Sequence, residues 1–125
     1  MVLIDTSVWV HHLQEGNLEL QTLLNNAQVI CHHFIIGELA CGNLKNRTEI
    51  LSLLCLLPLA VHADHEEVLE FIDKNKLMGK GLGYIDMHLA ASAVLTGVPL
   101  WTLDQHLAET SRILVWPLTV RIWGK

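Results

Sequence analysis

The sequence predicts an α/β fold: a three-layer α/β/α sandwich around a central, mainly parallel sheet. Three observations carry this. Short β-branched or apolar runs alternate along the chain with segments whose apolar residues recur at helical spacing, which is the pattern of βαβ units. The 125 residues suffice for one hydrophobic core without covalent staples. No repeat, linker or low-complexity stretch divides them, so residues 1–125 are expected to form a single domain.

Val2, Leu3 and Ile4 make a short strand that ends at Asp5, and Thr6–Ser7 offers a helix cap. The helix that follows runs to about Leu13 and is broken at Glu15–Gly16–Asn17. Leu18, Leu20, Leu23 and Leu24 mark a second helix, stopped near Asn25–Asn26. Residues 28–31 read as a strand. Residues 33–41 read as a helix, with Ile35, Ile36, Leu39 and Ala40 at helical spacing and Gly42 as a stop. Residues 48–56 repeat that pattern until Pro58, and residues 59–62 read as a strand. Asp64 then caps a helix in which Val68, Leu69, Ile72 and Leu77 face inward. After the flexible Gly79–Lys80–Gly81–Leu82–Gly83, an alanine-rich helix spans residues 84–95 and ends at Gly97. Residues 99–102 are a strand, Asp104 opens a helix to about Ser111, and residues 115–123, with Pro117, fit an edge strand.

Composition bounds the function. The hydrophobic fraction is 51% and the mean hydropathy is positive. The longest near-continuous apolar run, residues 50–61, holds 12 residues including Ser52 and Pro58, whereas a membrane span needs about 20. The N-terminus lacks the basic region of a signal peptide and carries Asp5 early, so a cytoplasmic protein is expected. The surplus of apolar residues must then enter the core or partner interfaces, and an oligomer is expected. Three cysteines without a close pair argue against disulfide frameworks and zinc ribbons and fit a reducing compartment. The formal charge of −5 argues against broad tracking of nucleic-acid phosphates. It is compatible with a nuclease whose acidic site meets the phosphate through a cation.

Ligands of parallel sheets bind at the carboxyl edge of the strands, where the following helices begin. Asp5 ends the first strand, Asp104 follows the 99–102 strand, Asp86 lies in the first turn of its helix, and Glu38 lies early in a helix after the second strand. All four are therefore expected on one edge. Glu38 and Asp86 sit among apolar neighbours, which predicts buried carboxylates, and such groups need a partner or take up a proton. Two carboxylates about 4 Å apart repel by about 4 kcal/mol at an effective dielectric near 20. With few basic residues nearby, a divalent ion answers this, and oxygen ligands favour Mg²⁺ or Mn²⁺. The plainer reading makes Asp5, Asp86 and Asp104 helix caps or first-turn acids that complement the helix dipole.

The chain resembles the PIN-domain family, and within it the VapC-type toxins of bacterial toxin–antitoxin pairs. The matching pieces are Leu3–Ile4–Asp5–Thr6–Ser7–Val8–Trp9, Ile36–Gly37–Glu38–Leu39–Ala40–Cys41–Gly42–Asn43–Leu44, GKGLGYIDMHLAA at residues 79–91, and Leu100–Trp101–Thr102–Leu103–Asp104, in the family's order. The resemblance implies that Asp5, Glu38, Asp86 and Asp104 are the acidic quartet of a metal-dependent endoribonuclease. It implies Thr6 or Ser7, and Thr102, as hydroxyls that orient carboxylates or metal-bound waters. Asp5 and Asp86 are then expected to ligate Mg²⁺, or Mn²⁺ in its place, directly. Glu38 and Asp104 would act through water or orient the nucleophile. Lys80, Lys45 and Arg47 are candidates for steering RNA phosphates. A homodimer and a cognate antitoxin that covers and inhibits the site are implied as partners. There are departures: Gln105–His106 stand where some relatives carry a further acid, Leu103 where close relatives have a basic residue, and His33 where many have proline.

Other readings compete. Eight histidines invite a metal-independent ribonuclease, but His11–His12, His32–His33, His62, His65, His88 and His106 show no mechanistic spacing. A phosphatase of the haloacid-dehalogenase type wants an aspartate where Ser7 stands. A catalytically inactive PIN-like RNA- or protein-binding module has no need of four crowded acids. Trp9, Trp101, Trp116 and Trp123 fit core or interface packing better than base stacking.

Overall fold

The computed structural model describes residues 1–111. Among them are three strands and seven helices: β1 (Val2–Ile4), α1 (Thr6–Glu15), α2 (Leu18–Asn25), β2 (Val29–Ile30), α3 (His33–Ala40), α4 (Arg47–Leu54), α5 (His65–Asn75), α6 (Tyr84–Thr96), β3 (Leu100–Trp101) and α7 (Gln105–Ser111). The sheet is parallel, in the order β2-β1-β3. Leu3 pairs with Ile30 on one side and with Leu100 on the other, so β1 is the central strand. All three strands are buried, which is why they read as continuous apolar runs rather than as an alternation. The α/β sandwich expected from the sequence is the fold observed. The proposed edge strand at residues 115–123 lies outside the described residues, as do Trp116 and Trp123.

Residues 59–62 do not form a strand. A single parallel bridge joins Leu59 to Cys31, with Cys31 N–H donating to the Pro58 carbonyl at 2.8 Å and Ala60 N–H to the Cys31 carbonyl at 2.9 Å. The chain beyond Cys31 turns at once into α3, leaving no edge for Val61 to pair with. Its N–H donates instead to Thr96 Oγ1 at the end of α6.

Helix ends follow local chemistry. Asn17 caps α2 through Leu20 N–H, and Asp64 and Glu67 close a reciprocal capping box on α5. Gly16, at φ +80°, ends α1, and Gly97, at φ +75°, ends α6. On α5 the inward face is Val68, Phe71 and Ile72, with Leu77 fully buried just beyond it. Leu69, expected inside, is 45% exposed, because it lies one residue and so about 100° around the helix from Val68. Phe71, three residues after Val68, takes the core position.

α6 is buried along Met87–Val94, and α5 packs against it. Its three alanines in that stretch let neighbouring elements approach closely. Trp9 and Trp101 are core residues. No described helix is long and apolar enough to cross a membrane. Apolar surface remains on the outside: Leu18 and Leu56 are 87% and 80% exposed.

Candidate active site

The carboxyl ends of β1 and β3 meet at Asp5. This residue is buried and occupies the N-cap position of α1, yet its side chain caps nothing. Oδ2 instead accepts the hydroxyl protons of Ser7, at 2.7 Å, and Thr102, at 2.8 Å. Each hydroxyl has one proton and gives it to Asp5, so each offers its oxygen elsewhere. Ser7 Oγ accepts Leu103 N–H and Thr102 Oγ1 accepts Asp104 N–H, both at 3.0 Å. Two side chains thus stitch the turn after β1 to the turn after β3 and orient one carboxylate between them.

Glu38 is reached from the next residue along. Thr6 Oγ1 donates to Glu38 Oε1 at 2.6 Å, joining α1 to α3. Glu38 is exposed, not buried as its apolar neighbours suggested. Ile35 and Leu39 carry the inward face of α3, and Gly37 and Glu38 turn outward between them.

Asp86 is half-buried in the first turn of α6, and its Oδ2 accepts Gly83 N–H at 3.1 Å. Burial raises its pKa above the ordinary aspartate range, the Gly83 hydrogen bond opposes this, and the charges of Asp5 and Asp104 raise it further. Asp5 and Asp104 thus both lie close enough to act on Asp86. Asp104 caps α7, its Oδ1 accepting Leu107 N–H at 3.0 Å. The cap reading is therefore right in part: it describes Asp104 and half of Asp86, and fails for Asp5.

The four acids share one feature. Each spends one oxygen on a hydrogen bond that fixes its orientation and leaves the other without a donor among the described residues. None joins an ion pair there, since the pairs present are His11–Glu15 and Lys74–Glu70. Open, oriented, all-oxygen acceptors with no basic partner suit a hard divalent cation. Among the described residues, no three His, Cys, Asp or Glu side chains converge tightly enough to enclose an ion by themselves.

The basic candidates separate. Lys80 lines a pocket of about 110 Å³ with His106, Glu109 and Thr110, beside the helix that Asp104 caps. Lys45 lines another with Leu13 and Gln14, at the end of α1 remote from Asp5. Arg47 donates twice to the Ala40 carbonyl, at 2.8 and 3.2 Å, and so holds the C-terminus of α3.

Linear spacing hid one constellation. His32, His62 and His88, scattered in sequence, come together around Phe34, with the His62 ring centroid 5.1 Å from that of His32 and 5.6 Å from that of His88, and the His33 ring lies against His62. His62 lies two residues beyond Ala60, whose N–H donates to the Cys31 carbonyl next to His32.

A parallel sheet with acids at its carboxyl edge is shared by several classes of small α/β domain, and comparison with known proteins shows which of them this chain joins. The PIN domain family matches residues 2–113, and the chain belongs to it. Within the family it is similar to Ribonuclease VapC32 of Mycobacterium tuberculosis, in two strains of that organism, at 41% identity over 108 residues, or 86% of this chain and 87% of the relative. Among solved structures, that of PAE2754 from Pyrobaculum aerophilum shares the fold, with a TM-score of 0.60 at 17% identity over 87% of this chain and 78% of that one.

Proposed function

We propose that this chain is a Mg²⁺-dependent endoribonuclease, the toxin of a type II, VapBC-type toxin–antitoxin pair, which hydrolyses RNA phosphodiester bonds with an activated water. The similarity to a protein named Ribonuclease VapC32 supports the reaction class. The single observation that carries the chemistry is the set of four carboxylates, each anchored by one oxygen and open at the other.

Asp5 and Asp86 would hold the ion through the oxygens that no donor occupies. When bound, Mg²⁺, or Mn²⁺ in its place, supplies positive charge to the attacked phosphate and lowers the pKa of a neighbouring water. Glu38 and Asp104 orient that water, and Glu38, at the solvent edge, gives its proton a way out. Ser7, Thr102 and Thr6 keep the acids in position, as outer partners of metal ligands do. Lys80 is the basic residue best placed to meet a substrate phosphate. Attack by water leaves 5′-phosphate and 3′-hydroxyl ends.

The partners follow the same reading: RNA as substrate, a second copy of the chain, and a cognate antitoxin, all in the cytoplasm. An apolar groove of about 370 Å³ lined by Trp9, Leu13, Leu24, Ile50, Leu53 and Leu57 supports the expectation of a protein partner.

The test is incubation of the purified protein with total RNA, with Mg²⁺ and with EDTA, followed by mapping of the cut ends. Cleavage is expected with Mg²⁺ alone, and Asp5→Asn is expected to abolish it while the protein stays folded. Activity that survives EDTA and leaves cyclic phosphates would point to histidine chemistry. Intact RNA beside a folded protein would leave a PIN-like binding module.

A further inference from the structure

His32 occupies the N-cap of α3, a position usually held by Ser, Thr, Asp or Asn. It is 1% exposed, and both ring nitrogens are engaged. Nδ1 accepts Phe34 N–H at 3.0 Å, and Nε2 lies 3.1 Å from Ser92 Oγ on α6. An imidazole nitrogen that accepts an N–H carries no proton, so the neutral ring must bear its hydrogen on Nε2 and donate it to Ser92. One tautomer alone satisfies both contacts.

The two helices joined are those that carry Glu38 and Asp86, each six residues along its helix from the brace. We propose that His32 is a positioning residue of the acidic site: a tautomer-specific brace that ties the start of α3, the helix of Glu38, to α6, the helix of Asp86. This rests on the proposed ribonuclease site for its consequence, though not for its geometry.

The brace is sensitive to protons. A proton added at Nδ1 removes the acceptor for Phe34 N–H, uncapping α3. The ionisable groups acting on the ring, among the described residues, are His33 on its own helix, His62 on the segment after the Leu59 bridge, and His88 on α6, with no carboxylate, lysine or arginine among them. The adjacent Cys31 thiol is pushed up to about 11, chiefly by burial, and stays neutral. Burial first, then His62, His88 and His33, lowers the His32 pKa to about 4. The neutral brace therefore persists through physiological pH; its contribution to stability declines as pH falls below the unfolded histidine value, near 6.5, and the folded ring itself takes up a proton only as pH nears about 4.

The experiment compares wild type, His32→Asn, which keeps a cap acceptor that does not titrate, and His32→Ala, which has none. NMR of the imidazole at neutral pH should show hydrogen on Nε2 only. Exchange protection of the Phe34 amide should fall on acidification in step with His32 protonation, by on the order of tenfold, and remain flat in His32→Asn. With Mg²⁺ and RNA, His32→Ala should lose kcat more than it raises KM, and His32→Asn should restore it. A proton on Nδ1 at neutral pH, the same acid-dependent loss of protection in His32→Asn, or full kcat in His32→Ala would each overturn the proposal. A protein that cuts no RNA fails the ribonuclease reading alone, because the NMR and exchange measurements stand without it.

Discussion

Half-buried beside two other acids, Asp86 holds its proton to higher pH than a free aspartate, and the sign of that shift has a consequence for stability. A carboxylate whose folded pKa is raised contributes most below its unfolded value, near 3.9, and that contribution is lost as pH rises through the folded value. At neutral pH the charge on Asp86 therefore works against folding. Asp86→Asn should melt higher than wild type at pH 7, and the difference should vanish as pH falls below about 4, as measured by calorimetry across that range. An unchanged or lower Tm at pH 7 would mean that burial and the charges of Asp5 and Asp104 do not together disfavour the Asp86 carboxylate. The carboxylate itself was legible from its place in the Tyr84–Ile85–Asp86–Met87 string, as were Thr6, Ser7 and Thr102 beside their acids. The apolar string around Glu38 suggests burial, yet Glu38 is exposed, because apolar neighbours in sequence are not neighbours on a helix surface.

At the scale of elements, short-range chemistry decided most of what was legible. Caps, glycine stops and the 3.6-residue period act within a few residues, so the starts and ends of α2 and α6 and the start of α5 could be placed from composition, whereas Leu77, expected in α5, lies beyond its end. Asp64 illustrates it. Its side chain accepts Glu67 N–H at 2.8 Å while Glu67 Oε1 accepts Asp64 N–H at 3.0 Å. Asp64→Ala should cost about 1 kcal/mol of stability, read from denaturant midpoints with an unchanged m-value. A loss near zero would mean that the box is solvated and contributes nothing. Strands were harder. Residues 59–62 have strand composition, but pairing needs an edge, and whether β2 offers one depends on where α3 begins. His32 escaped notice because a histidine cap has no composition signal, and its partner Ser92 lies 60 residues away.

Across the whole molecule, the proposed metal site would give up folding stability that a bound cation restores. An ion that binds only the folded state at a hundred times its Kd adds about 2.7 kcal/mol. Mg²⁺ should accordingly raise the Tm of the wild type by several degrees and that of Asp86→Asn by much less, in a thermal melt at constant ionic strength. An equal rise in both would place the ion away from Asp86. The sequence by itself determined the class of fold and the places of most of its helices, and marked four acids as candidates, because apolar periodicity, caps and strand ends are local and survive in one dimension. Only the tertiary structure decided that Ser7 and Thr102 share one oxygen of Asp5, that Glu38 faces solvent beneath Thr6, and that His32 bridges two acid-bearing helices. Those facts depend on register and on packing between segments as many as 97 residues apart, where a hydrogen bond is made or lost over less than an ångström.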